Sequence, residues 1–529
     1  MAKMIFFQNF NSKNNLKVNI QSLIGFRFIL IVKLVIISFF IPSKAAPTAD
    51  SLSLLQKQTP LKELARDIES ILDNSDFSNS HIGISIQSLE TGEYFFRLNE
   101  SKNFIPASTD KLITTAAALE YLGKDFHFIT NLFLDGTLQE NGEFFGNIII
   151  RGSGDPTISK SFNNEPTDII DAWIKKMDSA GIKSLRGNII GDDKYFDKNY
   201  YAPGWAWDDM AYPYSAQVNA LAINDNTVDI FIQNGDSISH PAKIKISPEN
   251  SYIRIINNIR TVTAQESAEI SHFRESRTNI IELNGKIPLD TAKSSDITKY
   301  SVTVENPTGF FLNIFKERLE QHQIRFRGAL LEASEFNEKI DYSKLTELCS
   351  YESKPLSEII AIINKTSHNL ASEMLLKTIG KETLGKGSFL KGIEQIKRFL
   401  TKNGIFTENV IFIDGSGLSR YNQFSPRYQV GFLSVMFRSN FKDIFIQSLA
   451  EPGQKGTLNR RMTRTRAEKN VHAKTGTMNN VSNLCGYVTT RDGETLAISI
   501  MMMGFTVPQT LAANLQDLIC MRLASFSRK

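Results

Sequence analysis

Cysteine is scarce: Cys349, Cys485 and Cys520 are the only three in 529 residues, far apart and without a C-x-x-C pair. A dense disulfide framework is excluded, and a structural zinc site has no ligand pattern to rest on. The seven histidines include no H-E-x-x-H, so metal-assisted hydrolysis has no sequence support and no metal or other cofactor is expected. No long low-complexity tract and no fixed-period repeat occurs, which excludes a solenoid and a disordered scaffold. Acidic residues are missing from the first 45 positions, which carry Lys3, Lys13, Lys17, Arg27, Lys33 and Lys44. Without that segment 54 basic residues face 56 acidic ones, and the formal charge turns from +4 to −2. The positive excess therefore belongs to one end of the chain and does not mark a nucleic-acid surface.

Within that basic end, the apolar run LVIISFFI at 34–41 is too short to span a bilayer. Pro42 and the small-residue site Ser43-Lys44-Ala45 come after it, so residues 1–45 read as a secretory signal peptide. A later start and an uncleaved anchor, which would give peripheral membrane association, are the alternatives; Lys33 inside the apolar stretch argues against the anchor. The remainder is ordinary globular material, in a chain 41% hydrophobic and 22% charged, with length for a large core and more than one domain.

Periodicity divides the mature chain in three. From 46 to 125 come a helix around LKELARDIESILD, two alternating runs joined by Glu90-Thr91-Gly92-Glu93 that read as a β-hairpin, and a further helix. From 126 to 349 short β-type runs dominate, and only DIIDAWIKKMDSAG and TGFFLNIFKERLEQHQI have helical spacing. This is an inserted, mostly β region of one or two subdomains. From 350 to 529 helices return, followed by three strands turned at Asn479-Asn480 and Arg491-Asp492-Gly493, and a closing amphipathic helix.

Three polar clusters stand in contexts that suit chemistry. In PASTDKLITTAAALEYLG, Ser108 opens a helix and Lys111 lies three residues on, on the same side. A lysine kept neutral by burial and a second cation can take the proton of such a serine, and a helix start offers backbone N–H groups to an oxyanion. Two other S-x-x-K pairs, Ser388 with Lys391 and Ser439 with Lys442, read as solvated helix faces. Ser367-His368-Asn369 falls between two apolar helical segments, where a tight turn would project Ser367 and Asn369 to one side. Lys474-Thr475-Gly476-Thr477 heads a strand, with a glycine that lets a ligand approach closely.

The order S-x-x-K, S-x-N, K-T-G is that of serine β-lactamases and penicillin-binding proteins. With KTGTMNNVSNLCGYV, DGSGLSRYN, GTLNRRM, RGSGDPT and PGWAWDDMAYPYSAQVNAL, the chain resembles the low-mass class C penicillin-binding proteins. These are D-alanyl-D-alanine carboxypeptidases and endopeptidases of peptidase family S13, marked by a long insertion between the first two motifs. The resemblance implies an α+β fold of the serine β-lactamase/DD-peptidase type, an antiparallel sheet flanked by helices. It implies Ser108 as nucleophile, Lys111 as base, and Ser367 as the group passing a proton to the leaving D-alanine, held by Asn369 and Lys111. Lys474 and Thr475 would bind the substrate carboxylate, and the N–H groups of Ser108 and Thr477 would form the oxyanion hole. A pocket for the diaminopimelate side chain is implied at Ser416, Leu418, Arg420, Met478 and Asn479, walled by Asp209 and Tyr214, with Asp208 and Asp209 not distinguished. The implied partners are peptidoglycan stem peptides and β-lactam antibiotics as covalent inhibitors; the implied location is the periplasm or cell envelope. His368 departs from the pattern, since related proteins often carry Asp or Asn there. A serine β-lactamase is the weaker alternative: no E-x-x-L-N comes after the second motif, and Ser367 stands where the other main lactamase type has a tyrosine. A non-catalytic cell-wall-binding protein on the same fold is disfavoured because every catalytic position is filled.

Overall fold

The computed structural model describes residues 49–162, 164–289 and 298–528. The expected signal peptide, 1–45, lies outside the described residues. A first unit, 1–59, contributes only the beginning of helix α1 (Ala49–Leu72); every other element belongs to the second unit, Pro60–Lys529. Among the described residues, no helix is long and apolar enough to cross a membrane.

Strands β1 (His81–Ser88) and β2 (Tyr94–Leu98) form the expected hairpin, its turn closed by Gly92 at a φ of +75°. Helix α2 (Lys111–Leu122) comes next and is buried on every side from Lys111 to Leu119, which suits its run of small and apolar residues. The middle region opens with β3 (Ile129–Leu138), β4 (Glu143–Arg151), α3 (Asp168–Ser179), β5 (Ser184–Arg186) and β6 (Ile189–Asp192). It continues through β7 (Thr227–Gln233), β8 (Lys243–Ser247), β9 (Arg254–Val262), β10 (Glu269–Arg274), β11 (Ile280–Pro288) and β12 (Thr298–Thr303). It closes with α4 (Pro307–Gln321), β13 (Arg325–Arg327), β14 (Leu330–Glu332) and β15 (Thr346–Glu352). Helices α5 (Leu356–Thr366), α6 (Asn369–Leu384), α7 (Phe389–Lys402), α8 (Pro426–Arg438) and α9 (Lys442–Gln447) come after it. The chain ends with β16 (Val471–Met478), β17 (Val481–Thr489), β18 (Thr495–Met503) and α10 (Gln509–Ala524).

Five strands from the two ends of the chain make one antiparallel sheet in the order β16-β17-β18-β1-β2. One face packs on α10 and α1 through Leu64, Ile68, Leu484, Ile500, Leu515 and Ile519. A helical core built on α2, α5, α6, α7 and α8 is drawn together by Leu112, Leu119, Ile360, Leu375, Ile396 and Leu433. The middle region has its own core around Ile148, Trp173, Val228, Phe311 and Phe315. Its sheets are partly parallel: β5 and β6 pair with β4 across α3, and β13 and β14 pair with β5 and β6 across α4. Such crossovers need a connecting helix, and α3 and α4 are the two helices expected there.

Candidate active site

Ser108 sits in a single 3-10 turn, Ala107–Asp110, that runs straight into α2. This turn is wedged between two other segments. A Cβ on Gly476 of β16 would stand 2.6 Å from the Pro106 carbonyl oxygen, and one on Gly417 only 1.9 Å from that of Ala107. Asn483 on β17 clamps the approach to the turn, its side-chain amide donating to the carbonyls of Ile105 (2.9 Å) and Pro106 (2.7 Å). Ser367 ends α5 in the left-handed conformation (φ +65°), and His368 caps α6, so the S-x-N triplet forms the sharp interhelical turn its sequence suggests.

The three clusters meet at two amines. Lys111 Nζ lies 2.9 Å from Ser108 Oγ, 2.6 Å from Asn369 Oδ1 and 2.6 Å from the Ser416 carbonyl oxygen. A neutral amine has two N–H bonds for the two carbonyl oxygens and a lone pair left for the serine hydroxyl. Lys474 Nζ donates to Ser367 Oγ (2.8 Å) and to the carbonyl of its neighbour Thr475 (2.9 Å). Both lysines are fully buried. Burial pulls Lys111 down to about 8, against the opposing pull of Glu373, Asp414 and Asp110. Lys474 is driven well below the ordinary lysine range, first by burial and then by the charge of Lys111.

Strand β16 is a sheet edge. Alternate residues of an antiparallel strand turn their N–H and C=O away from the partner; Ala473 does so toward Ala450, and by the same period Thr475 and Thr477 do so too. A cleft of about 410 Å³ opens beside them, lined by Ser108, Ser367, Asn369, Leu418, Arg420, Thr477, Met478 and Asn479, with Asp209 and Tyr214 from the middle region. Asp209, not Asp208, faces the cleft, where it accepts from the Tyr214 hydroxyl at 2.6 Å. The carbonyl of Tyr214 in turn receives the Asn369 amide at 2.8 Å. Arg420 Nη2 donates to the Asn479 carbonyl at 3.3 Å.

Two expectations are corrected. Ser416 does not line the pocket: its side chain is fully buried, and it reaches the site through its carbonyl, beneath Lys111. The other S-x-x-K serines are not solvated faces but helix caps. Ser388 Oγ accepts the Lys391 N–H at the start of α7, and Ser439 Oγ accepts that of Phe441 after α8. Thr475 is 8% exposed and lies outside the cleft lining.

Sequence reasoning also missed Gly417 and Gln509 in the cleft wall, and the buried carboxylates below it. Glu373 accepts the N–H groups of Gly415 (2.9 Å) and Ser416 (2.7 Å). Asp414 accepts those of Gly417 (2.9 Å) and Ser419 (2.6 Å) and the Trp205 indole (2.9 Å). Glu373 lies four residues beyond Asn369, a spacing that puts both on one helix face and could have flagged it. His368 points away from the cleft: its Nδ1 accepts the Ala371 N–H at 3.2 Å, and its Nε2 lies 3.2 Å from Asp225.

Residues 64–524 match the model of the D-Ala-D-Ala carboxypeptidase 3 (S13) family. The D-alanyl-D-alanine carboxypeptidase of Actinomadura sp. is 32% identical over 477 residues, which cover 88% of this chain and 85% of that one. Penicillin binding protein 4 of Haemophilus influenzae superposes with a TM-score of 0.74 at 22% identity, covering 88% of this chain and 99% of its own. Its complex with a β-lactam gives 0.67, again at 22% identity, over 87% and 97%. The α+β architecture with a helix-flanked antiparallel sheet is shared with these structures. The family match spans the sheet strands contributed by both ends of the chain and everything between, and the same stretch brings three distant motifs to one groove: this chain belongs to the D-Ala-D-Ala carboxypeptidase 3 (S13) family.

Proposed function

We propose that Ser108 attacks the carbonyl carbon between the two terminal D-alanines of a peptidoglycan stem peptide while Lys111 Nζ takes the hydroxyl proton. The enzyme is a serine-type D-Ala-D-Ala peptidase, and the observation that carries this reading is the convergence of Ser108, Asn369 and the Ser416 carbonyl on one buried amine. The developing oxyanion is received by the N–H groups of Ser108 and Thr477. Collapse breaks the C–N bond, and the departing amine receives the proton that Lys111 took, passed on through Ser367, which Lys474 holds. Water then attacks the ester carbonyl, its proton passing to the neutral Lys111 and from there to Ser108 Oγ as the ester C–O bond breaks, which restores the serine hydroxyl. Loss of one oxyanion donor typically costs about 10² to 10³ in rate, so the alignment of β16 with the Ser108 turn matters as much as the nucleophile.

Lys474 and Thr475 receive the terminal carboxylate. Arg420, Leu418, Met478, Asn479, Asp209 and Tyr214 form the subsite for the diaminopimelate side chain, with the Arg420 guanidinium facing its carboxylate and Asp209 its amine. The same acyl transfer cleaves D-Ala-diaminopimelate cross-links, and β-lactams arrest it as stable acyl-enzymes. On this reading 46–125 and 350–529 make the catalytic unit, 126–349 is an insertion that walls the cleft, and 1–45 directs export to the periplasm. Intact-mass measurement after incubation with penicillin tests it: one added acyl group is expected on the wild-type protein and none on Ser108→Ala. An adduct that survives the substitution, or rapid turnover of the antibiotic without an adduct, overturns the reading.

A further inference from the structure

Glu373 is completely buried on α6, one helical turn after Asn369. Its two oxygens hold the N–H groups of Gly415 and Ser416, and the Ser416 carbonyl meets Lys111 Nζ. Asn369 Oδ1 meets the same amine from the start of the same helix. We infer that Glu373 is a positioning residue for Lys111: it locks the loop of Asp414-Gly415-Ser416-Gly417 to α6, so that the Asn369 and Ser416 oxygens straddle the amine.

This rests on the reading of Lys111 as the base. The loop does not need Glu373 merely to stay folded. Thr114 Oγ1 (2.8 Å) and Ser372 Oγ (2.7 Å) both donate to the Gly415 carbonyl, and Asp414 fastens Gly417, Ser419 and Asn422. Ser372 and Glu373 both tie the peptide leading into Ser416 to the helix that carries Asn369, but Glu373 receives both N–H groups, of Gly415 and of Ser416. The charged groups around the amine are Asp110 at the head of α2, Glu373, Asp414 in the loop and Lys474 on β16. Those around Glu373 are Asp414, Asp110, Lys111 and Lys377, one turn along α6, and burial and then Asp414 raise its carboxyl to about 8.

The test is E373Q, assayed by the second-order rate of acylation by fluorescent penicillin across pH 6–10. Glutamine keeps the shape and one acceptor oxygen but brings an NH₂ group against the second backbone N–H. Acylation at neutral pH is expected to fall by about 10- to 100-fold, the scale of a small misplacement of a reacting group. The rising limb of the profile is expected to move to lower pH, because the anion that Glu373 becomes as pH passes about 8 no longer holds the Lys111 proton. E373D restores the charge without the reach, so the limb returns while the rate stays reduced. S372A cuts a neighbouring loop bond and leaves the limb in place. A rate for E373Q within about twofold of wild type, or a slower rate with an unmoved limb, overturns the inference. Should E373Q fail to fold, E373D decides: a loss of acylation beyond that of S372A at matched melting temperature supports it, and equal losses overturn it. Unchanged acylation of Lys111→Ala would instead overturn the identification of the base, so the two failures are told apart.

Discussion

A lysine side chain is protonated at neutral pH unless its surroundings forbid it, and Lys111 sits where burial works against its proton more strongly than Glu373, Asp414 and Asp110 retain it. Because burial lowers its titration to about 8, the neutral, proton-accepting form gains population as pH rises through that value. Acylation by penicillin should therefore climb between pH 7 and 9 and level off above, measured by stopped-flow labelling; a rate flat over that range would separate Lys111 from the proton transfer. Ser108→Ala should abolish labelling, whereas Ser388→Ala and Ser439→Ala should retain it. Loss of the Ser388 cap should cost about 1 kcal/mol in denaturant unfolding. Arg420→Ala should impair peptides with a free diaminopimelate end more than it impairs β-lactams, as judged by kcat/KM against acylation rate. The residues that react were legible because their spacings are local to a helix turn or a strand. Ser416 misled because a sequence cannot say whether a residue offers its hydroxyl or its carbonyl, and Glu373 stayed hidden because its partners lie 42 and 43 positions away.

At the scale of elements, the amphipathic helices and the hairpins derive from periodicity and turn chemistry, and β1, β2 and β16–β18 lie where those signals put them, while the helix expected to open at Ser108 begins as a 3-10 turn before α2. The parallel pairing in the middle region left no such trace, because partners such as β11 and β9 or β4 and β6 are joined by connections rather than by a turn of recognisable type. Close approach of backbones is equally silent until strands are placed. Gly417 has a φ of +79° and no room for a Cβ beside Ala107, so Gly417→Ala should destabilise the protein by about 2 kcal/mol or more and depress labelling. Helix α6 begins with an imidazole acceptor, so His368→Ala should cost about 1 kcal/mol while His368→Asn, which keeps an acceptor, should cost far less. Urea titration of the two variants checks the ordering.

Over the whole molecule, the middle region is fastened to the catalytic helices by a buried cation. Lys377 on α6 is wholly enclosed, donates to Asp197 (2.9 Å) and to the Asn199 carbonyl (2.6 Å), and lies 4.3 Å from the ring centre of Phe389. Lys377→Met strands Asp197 and the carbonyl, so unfolding should become easier by about 3 kcal/mol in calorimetry or denaturant. The two ends of the chain are fastened as well: Arg522 pairs with Asp67, and Arg528 with Glu93 and Glu494.

The strand order β16-β17-β18-β1-β2 joins in one sheet two segments, 81–98 and 471–503, that lie more than 370 residues apart along the chain, and the later one supplies the K-T-G edge. A chain that has grown past Ser108 but not yet through β16 to β18 holds the serine and lacks the strands that face it. The three motifs can meet only after β16 has been made and the sheet has closed between β18 and β1, so a chain truncated before β16 is expected to take no penicillin label.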